Sequence, residues 1–98
     1  MNNNSKPLFS FLLITYNQEK YITDAFNSLI NQTYRNYEII ISDDNSKDNT
    51  FEICKELTEK YNGDIRIILH RNIINKGIGG NFQQAYELSV NFQNWRID

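Results

Sequence analysis

Two adjacent carboxylates follow an apolar run that has the composition of a buried strand. The run is Ile39-Ile40-Ile41, and Asp43 and Asp44 come directly after Ser42. In an open α/β sheet, ligands bind beyond the carboxyl ends of the strands, where polar side chains leave the core. A carboxylate in that place accepts hydrogen bonds from a base N–H or a ribose hydroxyl. The chemistry predicted for Asp43 and Asp44 is therefore recognition of a nucleoside.

Two further polar segments suit the same ligand. The segment Thr15-Tyr16-Asn17 follows the first apolar run, and a tyrosine ring can cover the flat face of a heterocycle. The segment Lys76-Gly77-Ile78-Gly79-Gly80-Asn81 precedes a helical pattern, where free N–H groups and the helix dipole favour an anion. A diphosphate is the anion expected there, with Arg71 and Lys76 as candidate partners. The simpler alternative is that these glycines only permit positive φ and that both cations are solvated.

Capping of a helix is the simpler explanation for an acid in the loop after Asp44. Asp, Asn and Ser bind free N–H groups at helix starts, and we assign that role to Asp48, with Asn49 and Glu52 as a further capping pair. Two adjacent acids exceed what one cap needs, so Asp44 is assigned to the ligand. His70 has no second histidine or cysteine partner, and we interpret it as structural rather than as a zinc ligand.

Alternating strand and helix patterns must position these residues. Apolar runs predict three strands, over Leu8–Ile14, Tyr37–Ser42 and Ile65–Leu69, with the first two buried on both faces. Apolar residues then recur at three and four residues, which predicts helices over 18–32, from Phe51 to Tyr61 and from Gly77 onward. Each helix returns the chain to the same end of the sheet, so the order βαβαβα predicts a three-layer α/β, Rossmann-like fold with a parallel sheet. All three polar segments then meet at one edge.

Composition excludes several classes of protein. The 98 residues suffice for one hydrophobic core, and we expect residues 1–7 to form a disordered tail and residues 8–98 to form one domain. Ten basic against twelve acidic residues give a net charge of -2, without the basic excess that binds nucleic acid. The single cysteine allows no internal disulfide, which favours a cytoplasmic location. No apolar run is long enough for membrane insertion.

The motifs at the strand ends resemble those of family 2 glycosyltransferases. They are Thr15-Tyr16-Asn17, the segment from Asp43 to Thr50, Asn75-Lys76-Gly77 and Asn81-Phe82, and the resemblance runs from about Leu8 to Val90. It implies the N-terminal, nucleotide-binding half of the GT-A fold. It also implies inverting transfer of a sugar from a nucleotide-diphosphate donor, most commonly a UDP-sugar, to an acceptor hydroxyl in polysaccharide biosynthesis. The complete family domain usually employs a divalent cation, Mn or Mg.

The resemblance also implies which residues bind the nucleotide. The set is Thr15, Tyr16, Asn17, Asp43, Asp44, Lys76 and Asn81. Within it, Tyr16 packs on the base and Asp44 hydrogen-bonds the base. The two residues after the third strand lie toward the diphosphate, and the others support the pocket and its loop.

The sequence departs from the family pattern after Val90. The family continues with a small residue, a glycine and a strand that ends in an Asp-x-Asp metal motif, whereas residues 91–98 contain neither the glycine nor the second carboxylate. Asp98 stands near the place of the first metal aspartate, but its neighbours do not match. Because the metal and the base for the acceptor hydroxyl come later in the family, we expect a truncated domain that binds nucleotide, binds no metal by itself and does not catalyse transfer.

The same residues bear on three other functions. A dinucleotide-dependent oxidoreductase needs a glycine fingerprint directly after the first strand, where this chain has Thr15-Tyr16-Asn17. A receiver-like signalling module carries its acid pair after the first strand rather than the second. A non-catalytic module of the same fold remains open, because a free sheet edge favours self-association as a homo-oligomer.

Overall fold

A parallel three-stranded sheet forms the centre of the molecule. The computed structural model describes residues 9–90 and 92, so the predicted tail 1–7 and Asp98 lie outside the described residues. The elements are β1 (Phe9–Thr15), α1 (Ile22–Ile30), β2 (Tyr37–Asp43), α2 (Thr50–Lys60), β3 (Arg66–Arg71) and α3 (Gly77–Leu88). β2 lies between β1 and β3 and is parallel to both. The predicted order of elements and the parallel pairing are confirmed.

The register of the sheet brings the three strand ends side by side. Thr15 pairs with Asp43, and Asp43 pairs with Arg71. The pairing continues one residue further, because the N–H of Asp44 donates to the Thr15 carbonyl at 2.9 Å and the N–H of Asn72 donates to the Asp43 carbonyl at 2.8 Å. The three polar segments therefore leave the sheet at one edge and at one level.

Helices cover both faces of the sheet, because successive side chains of a strand point to opposite faces. On one face, α1 and α2 form a core with the strands that contains Ile22, Phe26, Ile39, Ile41 and Cys54. On the other face, α3 packs across β1 and β2. Its buried Ala85 has no exposed surface. The three-layer α/β arrangement is thus confirmed.

The central strand is buried along its whole length, whereas β1 is not. All seven residues of β2 are buried, and each of its three isoleucines contributes about 1.5–3 kcal/mol of burial free energy. The prediction that the first strand is buried on both faces is wrong, since Phe9 is 52% exposed and Thr15 alone in β1 is fully buried. The reason is that, in the described part of the chain, β1 is an outer strand of the sheet, next to β2.

One of the two caps predicted for the start of α2 is present. Asn49 stands at the N-cap position, but its side chain makes no cap hydrogen bond. The Asp48 carboxylate instead accepts a hydrogen bond from the N–H of Thr50 at 2.9 Å through Oδ1, and it accepts the N–H of Glu19 at 3.3 Å through Oδ2. The Asn49–Glu52 capping pair is therefore wrong, and the capping role of Asp48 is confirmed.

The helices are short relative to a lipid bilayer. They contain 9, 11 and 12 residues. Within the described residues, no helix combines the length and the apolar composition that crossing a membrane requires.

A buried carboxylate at the start of β2 connects all three strands with the end of α3. Glu38 has no exposed surface. Its Oε2 accepts hydrogen bonds from Ser10 Oγ at 2.6 Å and from the N–H of Val90 at 2.7 Å, and its Oε1 lies 3.3 Å from Arg66 Nη1. Burial of a charge is costly unless such partners satisfy it. Glu38 therefore fixes the chain that follows α3 against the starts of the strands.

We predict that Glu38→Ala lowers the free energy of unfolding by roughly 3 kcal/mol, because it leaves buried donors without an acceptor. The measurement is urea denaturation followed by circular dichroism. The matched control is Glu56→Ala, which breaks an exposed ion pair with Lys60 and should leave the midpoint nearly unchanged. Equal midpoints for the two variants would contradict the role assigned to Glu38.

Candidate functional site

A cavity of about 450 Å³ lies at the carboxyl edge of the sheet, between the loop after β1 and the start of α3. Of the seven residues in the predicted nucleotide-binding set, four line this cavity, namely Thr15, Tyr16, Asp44 and Asn81. The other three, Asn17, Asp43 and Lys76, are not among its lining residues. The three polar segments are therefore brought together as expected, but their side chains divide between the cavity and the structure around it.

Asp44 is the carboxylate at the centre of this edge, and it is 3% exposed. Its Oδ1 accepts hydrogen bonds from the N–H of Lys76 at 2.7 Å and from Asn72 Nδ2 at 2.9 Å. Its Oδ2 accepts the N–H of Gly77 at 2.8 Å. The loop after β3 thus closes onto Asp44, and Oδ2 keeps one further acceptor position among the contacts of the described residues.

The charge of Asp44 results from two opposing effects. Burial disfavours the charged form, whereas hydrogen bonds from Lys76, Asn72 and Gly77 favour it. The hydrogen bonds outweigh burial and hold the pKa of the Asp44 carboxyl below its ordinary value of 3.8. At neutral pH, Asp44 is therefore an ionised acceptor at the wall of the cavity.

Asp43 lies beneath the cavity and organises the turn that follows β2. Its Oδ1 accepts hydrogen bonds from Thr15 Oγ1 at 2.7 Å and from Ser46 Oγ at 2.6 Å, and its Oδ2 accepts the N–H of Ser46 at 2.8 Å. Arg71 Nε stands 3.8 Å from the same Oδ2. Asp43 has no exposed surface, so its action on a ligand in the cavity passes through Thr15 and the turn.

The loops after β1 and β2 are bound to each other through Asn17. Its N–H donates to Ser46 Oγ at 2.9 Å, and its Oδ1 accepts the N–H of Lys47 at 2.8 Å. Asn17 and Asn45 adopt positive φ angles of 53° and 62°, which asparagine tolerates better than most residues. Asn17 therefore holds the loop next to Tyr16 without lining the cavity.

Apolar surface in the cavity comes from Tyr16, Ile78 and Ile14. Tyr16 is 40% exposed, and Ile78, at the start of α3, is 86% exposed. Both side chains line the cavity that Asp44 also lines. The arrangement thus offers aromatic and aliphatic surface for a flat ring together with a charged acceptor for its hydrogen-bond donors.

Two of the N–H groups at the start of α3, where the sequence predicted a diphosphate, are bound by a carboxylate of the protein. The N–H groups of Lys76 and Gly77 bind Asp44, so the anion at this helix start belongs to the protein itself. Gly77 has a φ of 80°, a conformation that favours glycine, so the simpler explanation of its presence holds.

The two candidate cations for the diphosphate lie away from the cavity. Lys76 lines a neighbouring cavity of about 370 Å³, together with His70 and Gln84. The Arg71 guanidinium lies 4.7 Å from the centre of the Phe51 ring, and its Nη2 donates to the carbonyl of Ser46 at 3.1 Å. Neither residue is among those that line the 450 Å³ cavity.

Asn81, which was expected to lie toward the diphosphate, instead joins α3 to β2. It is 1% exposed, and its Oδ1 accepts hydrogen bonds from Ser42 Oγ at 2.6 Å and from Asn72 Nδ2 at 2.9 Å. Its Nδ2 donates to the Ser42 carbonyl at 2.8 Å. The Asn81 amide is therefore bound inside the protein at the inner wall of the cavity.

Two residues that shape the site by contacting Asp44, Asn72 and Asn75, stand outside the nucleotide-binding set that the sequence indicated. Asn75 Nδ2 donates to the Asp44 carbonyl at 3.0 Å, and Asn72 touches the Asp44 carboxylate directly. A single amide in a polar loop has no periodicity, and its partners lie about thirty residues away in the chain. The sequence does show several asparagines between His70 and Phe82. Their spacing identifies no site residue unless the position of Asp44 relative to this segment is known.

We predict that the stability difference between the protein and its Asp44→Asn variant depends on pH. The pKa of Asp44 is lower in the folded state, so its ionised form contributes stability that is complete above its ordinary pKa of 3.8 and is lost as the pH falls through the lower folded value. Urea denaturation between pH 7 and pH 2.5 should therefore show a large difference at neutral pH that shrinks below pH 4.

The exposed substitution Glu59→Gln serves as the control, and its small effect should not change in the same window. A difference between wild type and Asp44→Asn that stays constant down to pH 2.5 would contradict the ionised, hydrogen-bonded state of Asp44.

The sequence matches the family model for glycosyl transferase family 2 over residues 10–90. One similar protein is an uncharacterised glycosyltransferase of Haemophilus influenzae, which is 39% identical over 79 residues, 74% of this chain and 24% of that protein. Another is a UDP-N-acetylglucosamine–dolichyl-phosphate N-acetylglucosaminyltransferase of Methanococcus voltae, 38% identical over 96 residues. That match covers 85% of this chain and 38% of the relative. The chain thus spans about a quarter to two fifths of the length of these relatives.

Two solved structures share the fold. A mannosyltransferase from Pyrobaculum calidifontis, determined in complex with GDP-Man and Mn2+, superposes with a TM-score of 0.79 at 19% identity, over 88% of this chain and 25% of that one. TarS of S. aureus, residues 1–349, superposes with a TM-score of 0.71 at 31% identity, over 87% of this chain and 24% of that one. Because the family model matches most of its residues and these neighbours carry the GT-A fold, the chain belongs to glycosyl transferase family 2.

Proposed function

We propose that the 450 Å³ cavity binds the nucleotide of a nucleotide-diphosphate sugar. The observation that carries this proposal is the ionised Asp44 carboxylate beside the exposed Tyr16 ring in a cavity within the 300–1,000 Å³ range of ligand sites. The base packs on Tyr16, and one of its N–H groups donates to Asp44 Oδ2. Transfer of the sugar to an acceptor hydroxyl with inversion, in polysaccharide synthesis, is the proposed activity of the complete family domain.

The names of similar proteins support a nucleotide sugar as the ligand. The relative from Methanococcus voltae is named for UDP-N-acetylglucosamine, and the mannosyltransferase structure contains GDP-Man. We propose a UDP-sugar for this chain. A carboxylate acceptor suits uracil and guanine, since both bases carry a ring N–H.

The described residues do not fit the divalent cation that the family employs. Among them, no three His, Cys, Asp or Glu side chains are grouped as a metal site would need. The two carboxylates at this edge, Asp43 and Asp44, already accept N–H and O–H donors, which a Mn or Mg ion would have to displace. We therefore propose that residues 9–90 and 92 bind the donor nucleotide and do not carry out transfer.

We predict that Tyr16→Ala weakens binding of the nucleotide about tenfold, because stacking of a base on an aromatic ring contributes roughly 1–3 kcal/mol. The measurement is isothermal titration calorimetry with UDP, GDP and UDP-N-acetylglucosamine, each with and without manganese. Tyr21→Ala is the matched control, since Tyr21 is 71% exposed and does not line the cavity. The Tyr21→Ala variant should bind each nucleotide with the affinity of the wild type.

Two outcomes would count against this proposal. If no nucleotide binds the folded wild type, the cavity is not a nucleotide site. If both tyrosine variants lose affinity equally, the loss does not come from contact in the cavity. A circular dichroism spectrum and an unfolding midpoint for each variant confirm that the native fold is being titrated.

A second candidate is a self-associating module of the same fold, and the position of β1 favours it. In the described part of the chain, β1 and β3 are the outer strands, and most of their residues are only partly buried. An outer strand can pair with a strand of a second chain, and Phe9 at the start of β1 is 52% exposed. We propose a homo-oligomer through the edge formed by β1.

Static light scattering over a hundredfold concentration range should then show a mass above that of the monomer of 11.6 kDa at the upper end. Phe9→Lys, which puts a charge at the start of β1, should lower the oligomer fraction. Phe82→Lys is the matched control, because Phe82 lies on α3 and has a similar exposure, 50% against 52%. A monomeric mass throughout would overturn the oligomer.

A further inference from the structure

Asn72 connects Asp44 with the residues that hold α3, and it stands outside the nucleotide-binding set that the sequence indicated. We propose that Asn72 is a positioning residue, which orients the Asp44 carboxylate for its ligand by donating to Oδ1, and that His70 fixes the orientation of the Asn72 amide. The inference rests on the proposed binding of a nucleotide at Asp44.

Asn72 gives the two oxygens of Asp44 different tasks. Oδ1 accepts two hydrogen bonds, from Asn72 Nδ2 at 2.9 Å and from the N–H of Lys76 at 2.7 Å, which occupy both of its lone pairs. Oδ2 accepts only the N–H of Gly77 at 2.8 Å among the described contacts. The two oxygens of an ionised carboxylate are equivalent, so a half-turn reproduces this arrangement, whereas a smaller rotation would lengthen the bonds to these three donors. Oδ2 is therefore the oxygen that remains available to a ligand.

The surroundings of the Asn72 amide define its orientation. Nδ2 lies 2.9 Å from Asp44 Oδ1 and 2.9 Å from Asn81 Oδ1, so both of its hydrogens have an acceptor. In the reversed orientation, the Asn72 carbonyl oxygen would face a carboxylate oxygen and an amide oxygen, which repel it. Asn72 is 2% exposed, so water does not relieve such a mismatch.

His70 completes this arrangement from the side of the 370 Å³ cavity. Its Nε2 stands 2.9 Å from Asn72 Oδ1, and an amide oxygen can only accept a hydrogen bond. The hydrogen must therefore reside on Nε2 of His70, both in the neutral ring and in the imidazolium form. The bond gives Asn72 Oδ1 its donor and thereby opposes reversal of the amide.

Position 72 thus requires two donors and one acceptor in a single short side chain. Asparagine supplies this combination, since aspartate lacks the donors and leucine lacks all three groups. Glutamine offers the same groups on a side chain that is one methylene longer. The residue type at position 72 follows from the three neighbours His70, Asp44 and Asn81, and this explains an asparagine that no sequence pattern indicated.

The first test uses the unmodified protein and needs no ligand. Long-range 1H–15N correlation spectra of the imidazole should show that the neutral ring of His70 carries its hydrogen on Nε2. A hydrogen on Nδ1 would mean that Nε2 accepts rather than donates, so the Asn72 amide would be reversed and the proposal would be overturned.

The second test compares Asn72→Ala with Ser42→Ala. Both variants remove one partner of the Asn81 amide, but only Asn72→Ala removes a donor to Asp44. In carbon-13 NMR titrations, the pKa of Asp44 should rise toward its ordinary value in Asn72→Ala and stay at the wild-type value in Ser42→Ala. A general loss of stability would not raise the pKa of Asp44 in Asn72→Ala while leaving it unchanged in Ser42→Ala.

Nucleotide affinity supplies the functional result. Calorimetry with UDP should show about tenfold weaker binding by Asn72→Ala, corresponding to the loss of one oriented hydrogen bond, and wild-type binding by Ser42→Ala. Wild-type affinity together with an unchanged Asp44 pKa in Asn72→Ala would overturn the positioning role and leave the proposed function intact. A raised Asp44 pKa in Asn72→Ala, with no nucleotide bound by the wild type, would overturn the proposed function and support the orientation of Asp44 by Asn72.

Discussion

The ionised carboxylate of Asp44 is the group on which the ligand edge of this molecule depends. Two backbone N–H groups at the start of α3 and the side-chain amide of Asn72 all use it as their acceptor. The Asn72 amide is buried, and the hydrogen bonds from Lys76 and Gly77 are partly buried. A buried donor costs about 1–3 kcal/mol if it loses its acceptor without gaining water. The loop after β3, the first turn of α3 and one wall of the cavity therefore take their positions from a single side chain, which β2 places at its carboxyl end.

The two adjacent acids divide two tasks that the sequence could not separate. Asp43 points into the protein and binds the loops after β1 and β2 through Thr15 and Ser46. Asp44 takes the next position along the strand, and alternation turns its side chain toward α3 and the cavity. Asp43 thus stabilises the turn after β2. Asp44 binds the loop after β3 and also offers an acceptor position for a ligand. This combination explains why Asp44 can be nearly buried and still line the proposed nucleotide site.

The fold was largely predictable because it follows from local patterns. The isoleucine run of β2, the three- and four-residue spacing of the helices and the polar strand ends all agree with the observed order and with parallel pairing. Burial of β1 was overestimated, because the exposure of a strand depends on its neighbours in the sheet and not on its own residues. Phe9 has the same apolar side chain whether its strand is an inner or an outer strand of the sheet. Its place on an outer strand accounts for its 52% exposure.

The site was predictable only in part, because its residues act through distant partners. Tyr16 and Asp44 could be identified from their places at strand ends, and both line the cavity. Lys76 and Asn81 could be placed in the loop after β3 and the start of α3, but the direction of their side chains depends on how that loop closes. Asn81 turns inward to Ser42, and Lys76 turns toward His70 and the neighbouring cavity. Asn72 could not be identified at all, since its role exists only when Asp44 and Asn81 are both in place.

The separation in sequence between Asp44 and its donors has a consequence for synthesis of the protein. Asn72, Lys76 and Gly77 follow Asp44 by 28, 32 and 33 residues. While the chain grows on a ribosome, β1, α1 and β2 can emerge and begin to pack before any of these donors has been made. During that interval, Asp44 is an exposed, hydrated acid with no wall opposite it. The cavity therefore comes into existence late, when the first turn of α3 has left the ribosome, and a nascent chain lacks the proposed nucleotide site before that moment.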